Sequence, residues 1–271
     1  MALTTIGLMA LLGCFTGFMA GLLGIGGGMI ITPFLIMLIP SSLIPHDHIV
    51  HVAIATSLAT IAFTSLSSVR AHHKRGAVLW NVVASVAPGI LVGAVVGAQI
   101  AGWLPTFWLS LIFAGFVGFS AFKMFLNKSP RPDRNLPGTT GKFFMGIAIG
   151  ILSALVGAGG GFISVPWMVW CNVKMQNSVA TSAAFGFPIA LFGTIGYIIS
   201  GWNVSGLPPW PIDLGYICIP ALFSVAITSV LFAPLGAKVA HSIDTKPLKK
   251  IFACLLCFVC LYMIRQAYLA M

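Results

Sequence analysis

The 271-residue chain is 59% hydrophobic and only 7% charged, with a formal net charge of +10 and a mean hydropathy of +1.05. A soluble domain carries about 25% charged residues, so this chain cannot cover a water-facing surface, and its main solvent is the lipid bilayer. The positive charge sits in short loops between apolar runs and forms no stripe or recognition helix, which excludes nucleic acid as its partner and matches the Lys and Arg excess of cytoplasmic membrane loops.

In chain order, the apolar runs cover roughly residues 3–39, 49–69, 77–101, 105–126, 142–171, 178–200, 212–236 and 247–270. The N-terminus lacks the basic region of a cleaved signal peptide, so the first run is expected to be retained. A spanning helix needs about 20 apolar residues, and six of the runs match one helix each. The first and fifth are too long for one helix, and each is broken by glycines, GIGGG at 24–28 and GAGGG at 157–161. The one extended polar stretch, residues 127–141, holds Pro130, Pro132, Pro137 and several charges. It reads as a cytoplasmic linker between a first membrane repeat, 1–126, and a second, 142–271.

The two halves repeat each other. Residues 17–33 align without gaps on 150–166, ATS at 55–57 matches ATS at 180–182, and GAVLW at 76–80 is paired with GLPPW at 206–210. GAQIA at 97–101 matches GAKVA at 236–240, and in that register IFA at 112–114 meets IFA at 251–253. Charge sets the orientation. The loop after the second run carries Arg70, Lys74 and Arg75, while the loop after the third has no base. In the second half the pattern swaps: residues 201–211 have no Lys or Arg, and Lys238, Lys246, Lys249 and Lys250 follow. Equivalent loops are thus expected on opposite sides, the signature of an inverted-topology repeat. Inversion requires an odd number of crossings per half. The expected fold is therefore an all-α polytopic membrane protein, each half a glycine-broken re-entrant hairpin plus three transmembrane helices. The alternative, in which each broken run crosses once, gives eight crossings and leaves several lysines on the wrong side.

Non-helical backbone at membrane depth survives only where protein or a water-filled cavity satisfies its polar groups. The two glycine turns are therefore costly in lipid, and glycine permits both the tight turn and close backbone approach to a ligand. The short arm after each turn would begin with free N–H groups at the positive end of a helix dipole, a ready anion site. The candidate binding residues are Gly26, Gly27, Gly28, Gly159, Gly160 and Gly161. Thr56, Ser57, Thr181 and Ser182 either add hydroxyl donors to the same cavity or bond back to their own helices. Scattered glycines such as Gly93 and Gly118 read as helix-packing positions.

The chain has no Glu, and its four Asp, at 47, 133, 213 and 244, lie in loops or at segment ends. Membrane carboxylates that relay protons or bind Na⁺ are thus missing, which suits a small anion better than a cation. His46, His48 and His51 read as an exposed polar loop rather than a metal site, and His72 and His73 likewise as part of a basic loop. Cys254, Cys257 and Cys260, at three-residue spacing, read as packing positions. No phosphate loop, GxSxG or HExxH motif occurs, so neither an enzyme nor a cofactor is expected.

The paired stretches GFMAGLLGIGGGMIITP and GILSALVGAGGGFISVP, each followed by Ala-Thr-Ser, resemble the TauE/SafE family of sulfite exporters. The resemblance covers essentially the whole chain. It implies a permease that exports small sulfur-containing anions such as sulfite or organosulfonates, a secondary carrier without its own ATPase. An anion channel or a non-transporting subunit of a larger complex are the alternatives. The substrate, the driving gradient and the oligomeric state are left open by the sequence.

Overall fold

A computed structural model describes residues 3–24, 27–39, 44–126, 135–202, 204, 214–240, 242 and 246–270. The described residues form ten helices and no named strand: α1 (Leu3–Leu23), α2 (Gly28–Leu38), α3 (Ile49–His73), α4 (Trp80–Trp103), α5 (Thr106–Leu126), α6 (Thr139–Val156), α7 (Gly161–Trp170), α8 (Met175–Gly201), α9 (Ile219–Ala240) and α10 (Lys246–Leu269). Eight are long and apolar enough to cross a membrane; α2 and α7 are the short ones. The chain is a multi-pass membrane protein. Its outward positions carry Leu11, Phe119, Leu231 and Leu261, all largely exposed, as a lipid-facing surface requires.

Helices begin and end close to the apolar runs because hydropathy and glycine set both. The seventh run is the exception: α9 starts only at Ile219, and residues 214–218 form a short bridged turn ahead of it. Gly215 at φ 58 is the second-half counterpart of Gly76 at φ 65, each three residues before the residue that precedes a helix. GLPPW at 206–210, the counterpart expected for residues 76–80, lies outside the described residues; residues 215–218 hold a place before α9 like that of 76–79 before α4.

Small residues bring the helices together. Along α1, Gly13 meets Val225 and Thr228, Gly17 meets Ser229 and Gly21 meets Ala233, so α1 and α9 run parallel at backbone contact. Gly89, Gly93 and Gly97 of α4 meet Phe143, Ile147 and Ile151 of α6 in the same way. Each half therefore lends its first helix to the other, with glycine every fourth residue forming the seam. Gly93 is thus a packing glycine as expected, and Gly118 packs against Cys260 of α10.

The central pair is α3 and α8. Ser65 stands beside Gly186 and Leu58 beside Gly193, so these matched helices run antiparallel. α9 runs with α3, since Thr56 bonds to Cys218 and Thr64 to Ser229. α4 runs with α8, since Leu79 bonds to Thr181 and Gln99 to Gly196. Hence α1, α3 and α9 point one way and α4, α6 and α8 the other. The chain between α1 and α3, which contains α2, returns to the end of the bundle where α1 starts; the chain between α6 and α8, which contains α7, does the same. In this arrangement Arg70, Lys74, Arg75, Lys142, Lys174 and Lys238 all collect at one end of the bundle.

The glycine seams generate a prediction. A Cβ at Gly236 would fall on the Phe18 carbonyl, whereas one at Gly115 would meet nothing within 4 Å. Gly236→Ala should lower the thermal unfolding midpoint of the detergent-purified protein by several degrees. Gly115→Ala should leave it unchanged or raise it, since Ala is better than Gly in a helix by up to about 1 kcal/mol.

Candidate functional site

The two glycine turns lie against each other in the middle of the bundle. Gly28 stands against Ile61, the central residue of α3, and a Cβ on Gly28 would collide with the carbonyl oxygen of Gly157 in the other turn. The local backbone explains the sequence. Gly24 and Gly157 close α1 and α6 at φ 67 and 63, and Gly27 and Gly160 open α2 and α7 at φ 73 and 77. All four sit in the left-handed region that a side chain disfavours. The next helical N–H groups, those of Gly28 and Met29 in α2 and of Gly161 and Phe162 in α7, have no hydrogen-bond partner among the described residues. Each arm starts its ladder only with the bonds of the third and fourth residues to Gly27 or Gly160. Gly26 lies outside the described residues. Gly159 lines a crevice beside Gly186.

The Thr-Ser pairs are all fully buried, and they join the halves. Ser57 Oγ donates to the Gly157 carbonyl at 3.1 Å, and Ser182 Oγ donates to the matching Gly24 carbonyl at 3.0 Å. Thr56 Oγ1 accepts from the Cys218 N–H at 2.9 Å, and Thr181 Oγ1 accepts from the Leu79 N–H at 3.0 Å. These are symmetric exchanges: each helix supplies one donor and one acceptor to the opposite half. The threonines and serines neither bond only backward nor simply point into a cavity. Thr60 and Thr64 do bond backward, their hydroxyls reaching the carbonyls of Thr56 and Thr60.

Three further buried hydroxyls without partners among the described residues gather here: Thr32, Ser68 and Ser153. Thr32 Oγ1 is 3.0 Å from where a Cβ would sit on Gly157, and Ser153 Oγ is 3.3 Å from that point on Gly160. Sequence reasoning missed all three. Their one signal is a hydroxyl amid Ile, Leu and Val, and they become visible only when another element folds onto them. Ser164 Oγ lies 3.0 Å from the Gly160 carbonyl and 2.8 Å from Ser182 Oγ, extending the network in the second half only.

Two histidines correct an expectation. His51 is in α3, 3% exposed, its Nε2 3.1 and 3.0 Å from the Ala101 and Leu104 carbonyls at the end of α4, with its ring stacked on Tyr216. His72 is fully buried with Nε2 3.1 Å from the Gly21 carbonyl. Neither is loop surface: both use the imidazole N–H to satisfy carbonyls near helix ends, as buried polar groups must. His46 and His73 are exposed, as expected. Burial raises the pKa of the Tyr216 hydroxyl and the Cys218 thiol, both in the turn before α9, so neither supplies a charge there at neutral pH. Of the three cysteines on α10, Cys260 packs on α5, its Sγ 3.3 Å from the Ala114 carbonyl, while Cys254 and Cys257 are exposed. No cluster of His, Cys, Asp or Glu fit to hold a metal is found among the described residues.

A bundle of apolar spans enclosing two broken helices at its centre is the build of a membrane transporter. The chain belongs to the Sulfite exporter TauE/SafE family, whose model matches residues 9–263. It is 34% identical to a probable membrane transporter protein of Haemophilus influenzae, over 96% of this chain and 98% of that one. It is 31% identical to the probable membrane transporter protein YdhB of Bacillus subtilis, over 69% and 76% of the two chains. A probable membrane transporter protein of Methanocaldococcus jannaschii is 27% identical over 95% of this chain and 94% of its own. No solved structure matches the chain.

The cross-bonds generate the next prediction. Ser57→Ala and Ser182→Ala each leave a buried carbonyl unpaired, at about 1–3 kcal/mol. Each should lower the unfolding midpoint measurably. Ser85→Ala, which removes an exposed hydroxyl bonded to its own helix, should not.

Proposed function

We propose that the protein is a secondary transporter, working as an exporter, of a small sulfur-containing oxyanion such as sulfite or an organosulfonate. The anion binds where the two glycine turns meet, held by the open N–H groups at the starts of α2 and α7. The observation that carries this reading is the contact of the two glycine turns, Gly28 against Gly157 at the level of the central residue of α3, with N–H groups at the starts of α2 and α7 that have no partner among the described residues. Such ends favour negative charge. The family description, sulfite exporter, supports the substrate class.

The halves would form an inverted repeat in the bilayer, each with a re-entrant hairpin, α1–α2 or α6–α7, and three crossings. The antiparallel run of α3 and α8 supports this, because an axis in the membrane plane reverses equivalent helices. The end that gathers the bases would face the cytoplasm. One half then rocks against the other, opening alternately at residues 76–79 and 215–218. Each of these segments is latched by one hydrogen bond to a threonine of the opposite half. Gly26, Gly27, Gly28, Gly159, Gly160 and Gly161 would line the site, with Thr56, Ser57, Thr181 and Ser182 setting the turns.

The test is counterflow of labelled sulfite in liposomes of the purified protein, with taurine, sulfoacetate and sulfate as competitors. Saturable flux, accelerated by sulfite on the far side, is the expected result. Flux without that acceleration would indicate a channel, and none above empty vesicles from folded protein would remove the reading. Gly160→Val, whose Cβ would lie 2.5 Å from Ile189 Cδ1 at φ 77, should insert normally and lose flux to background.

A further inference from the structure

We propose that the anion lodges off the pseudo-symmetry axis, in a crevice beside the second turn, and that it binds there as a monoprotonated oxyanion. The proposal rests on the oxyanion-carrier reading above, narrows the place from the junction of both turns to its second-turn side, and adds the ionic form.

The crevice is walled by Ala20 and Gly24 of the first hairpin, Ser65 and Ser68 of α3, Gly159 of the second turn and Gly186 of α8. It exists because the repeat is broken here, with Leu58 and Ile61 standing where the second half has Ala183 and Gly186. The register that pairs Ser57 with Ser182 pairs Ile61 with Gly186. Ile61 presses its Cδ1 to 2.6 Å of where a Cβ on Gly28 would lie, closing the space beside the first turn. Gly186 has no side chain and leaves the matching space beside the second turn open. As it stands the crevice has room for about one water molecule. Its walls are glycine, alanine and serine only, so it widens without displacing a bulky side chain.

Two polar groups in it lack partners and ask for opposite things. Ser68 is 2% exposed, and its Oγ bonds to nothing among the described residues; its O–H can donate to an anionic oxygen. The open N–H groups of Gly161 and Phe162, two and three residues on in the chain, would donate in the same sense to a ligand that reaches them. The Gly159 carbonyl is 3.8 Å from the place of a Cβ on Gly186 and accepts no hydrogen bond among the described residues. It requires a donor, since a buried carbonyl left unpaired is destabilising. A dianion or a sulfonate presents acceptors only and would set an oxygen against that carbonyl. Hydrogensulfite, with both charged oxygens and one hydroxyl, satisfies both demands. Ser65 already gives its proton to the Ala62 carbonyl and offers only lone pairs, which again favours a ligand carrying a hydrogen. The proton would then travel on the substrate, in a chain that has no Glu.

The test is calorimetric titration of the full-length detergent-purified protein with sulfite across a pH series, with methanesulfonate as the probe that cannot be protonated. Above the second ionisation of sulfite, its apparent affinity should fall about tenfold per pH unit, in step with the monoprotonated fraction. Methanesulfonate should bind more weakly and without that dependence. Ser68→Ala should weaken sulfite at least about tenfold, the loss of one hydrogen bond to a charged group, with the unfolding midpoint retained. Gly186→Ile, which copies Ile61 into the crevice, should abolish binding. Affinity for sulfite that is independent of pH, or unchanged in Ser68→Ala, overturns the proposal while the carrier reading stands. Folded wild-type protein that binds neither probe removes both.

Discussion

Backbone that leaves the helical ladder inside a membrane must find its hydrogen bonds within the protein, and much of this structure follows from how two such breaks are satisfied. Each break puts a glycine carbonyl, Gly24 or Gly157, into the apolar interior, and each is met by a serine from the opposite half. Neither turn is complete alone. The halves therefore fold as one body around α3 and α8, and the helices that begin each half cross over to pack on the other. The seams that allow this are glycines at every fourth position, where any side chain would meet a backbone carbonyl.

The same constraint gives the site its chemistry. Starting α2 and α7 at left-handed glycines leaves N–H groups without acceptors among the described residues, which creates positive potential without a formal charge. On the proposed reading, a centre made this way would attract an anion without the partner that a buried lysine or arginine needs. The threonines serve a different end. They bond to residues 76–79 and 215–218, the two short turns ahead of α4 and α9, and a single hydrogen bond between halves is a modest interaction of about 1 kcal/mol. Latches of that size are compatible with rocking between two states.

Symmetry and its failures divide the labour. The Ser57/Ser182 and Thr56/Thr181 exchanges are matched on both sides. Ser164, Ser153 and Gly186 have Ile31, Ala20 and Ile61 at their first-half positions. The second turn is therefore the more open of the two at Gly186, although both come from the same motif.

Composition and periodicity were enough to establish a polytopic helical membrane protein, two repeated halves, and the glycine breaks, because lipid solvent imposes length and hydropathy on every span and glycine marks each place where the helix must stop. The family resemblance was legible for the same reason: its motif lies in those breaks. What the linear chain could not carry was partnership. That Thr-Ser pairs bond across the halves, that Ser68 has no partner among the described residues, that His51 and His72 are buried at helix ends, and that residues 215–218 mirror 76–79 all depend on contacts between segments far apart in sequence. A hydroxyl or an imidazole has the same local signature whether it caps a remote carbonyl or faces water, and only the packing of helices from opposite halves decides which.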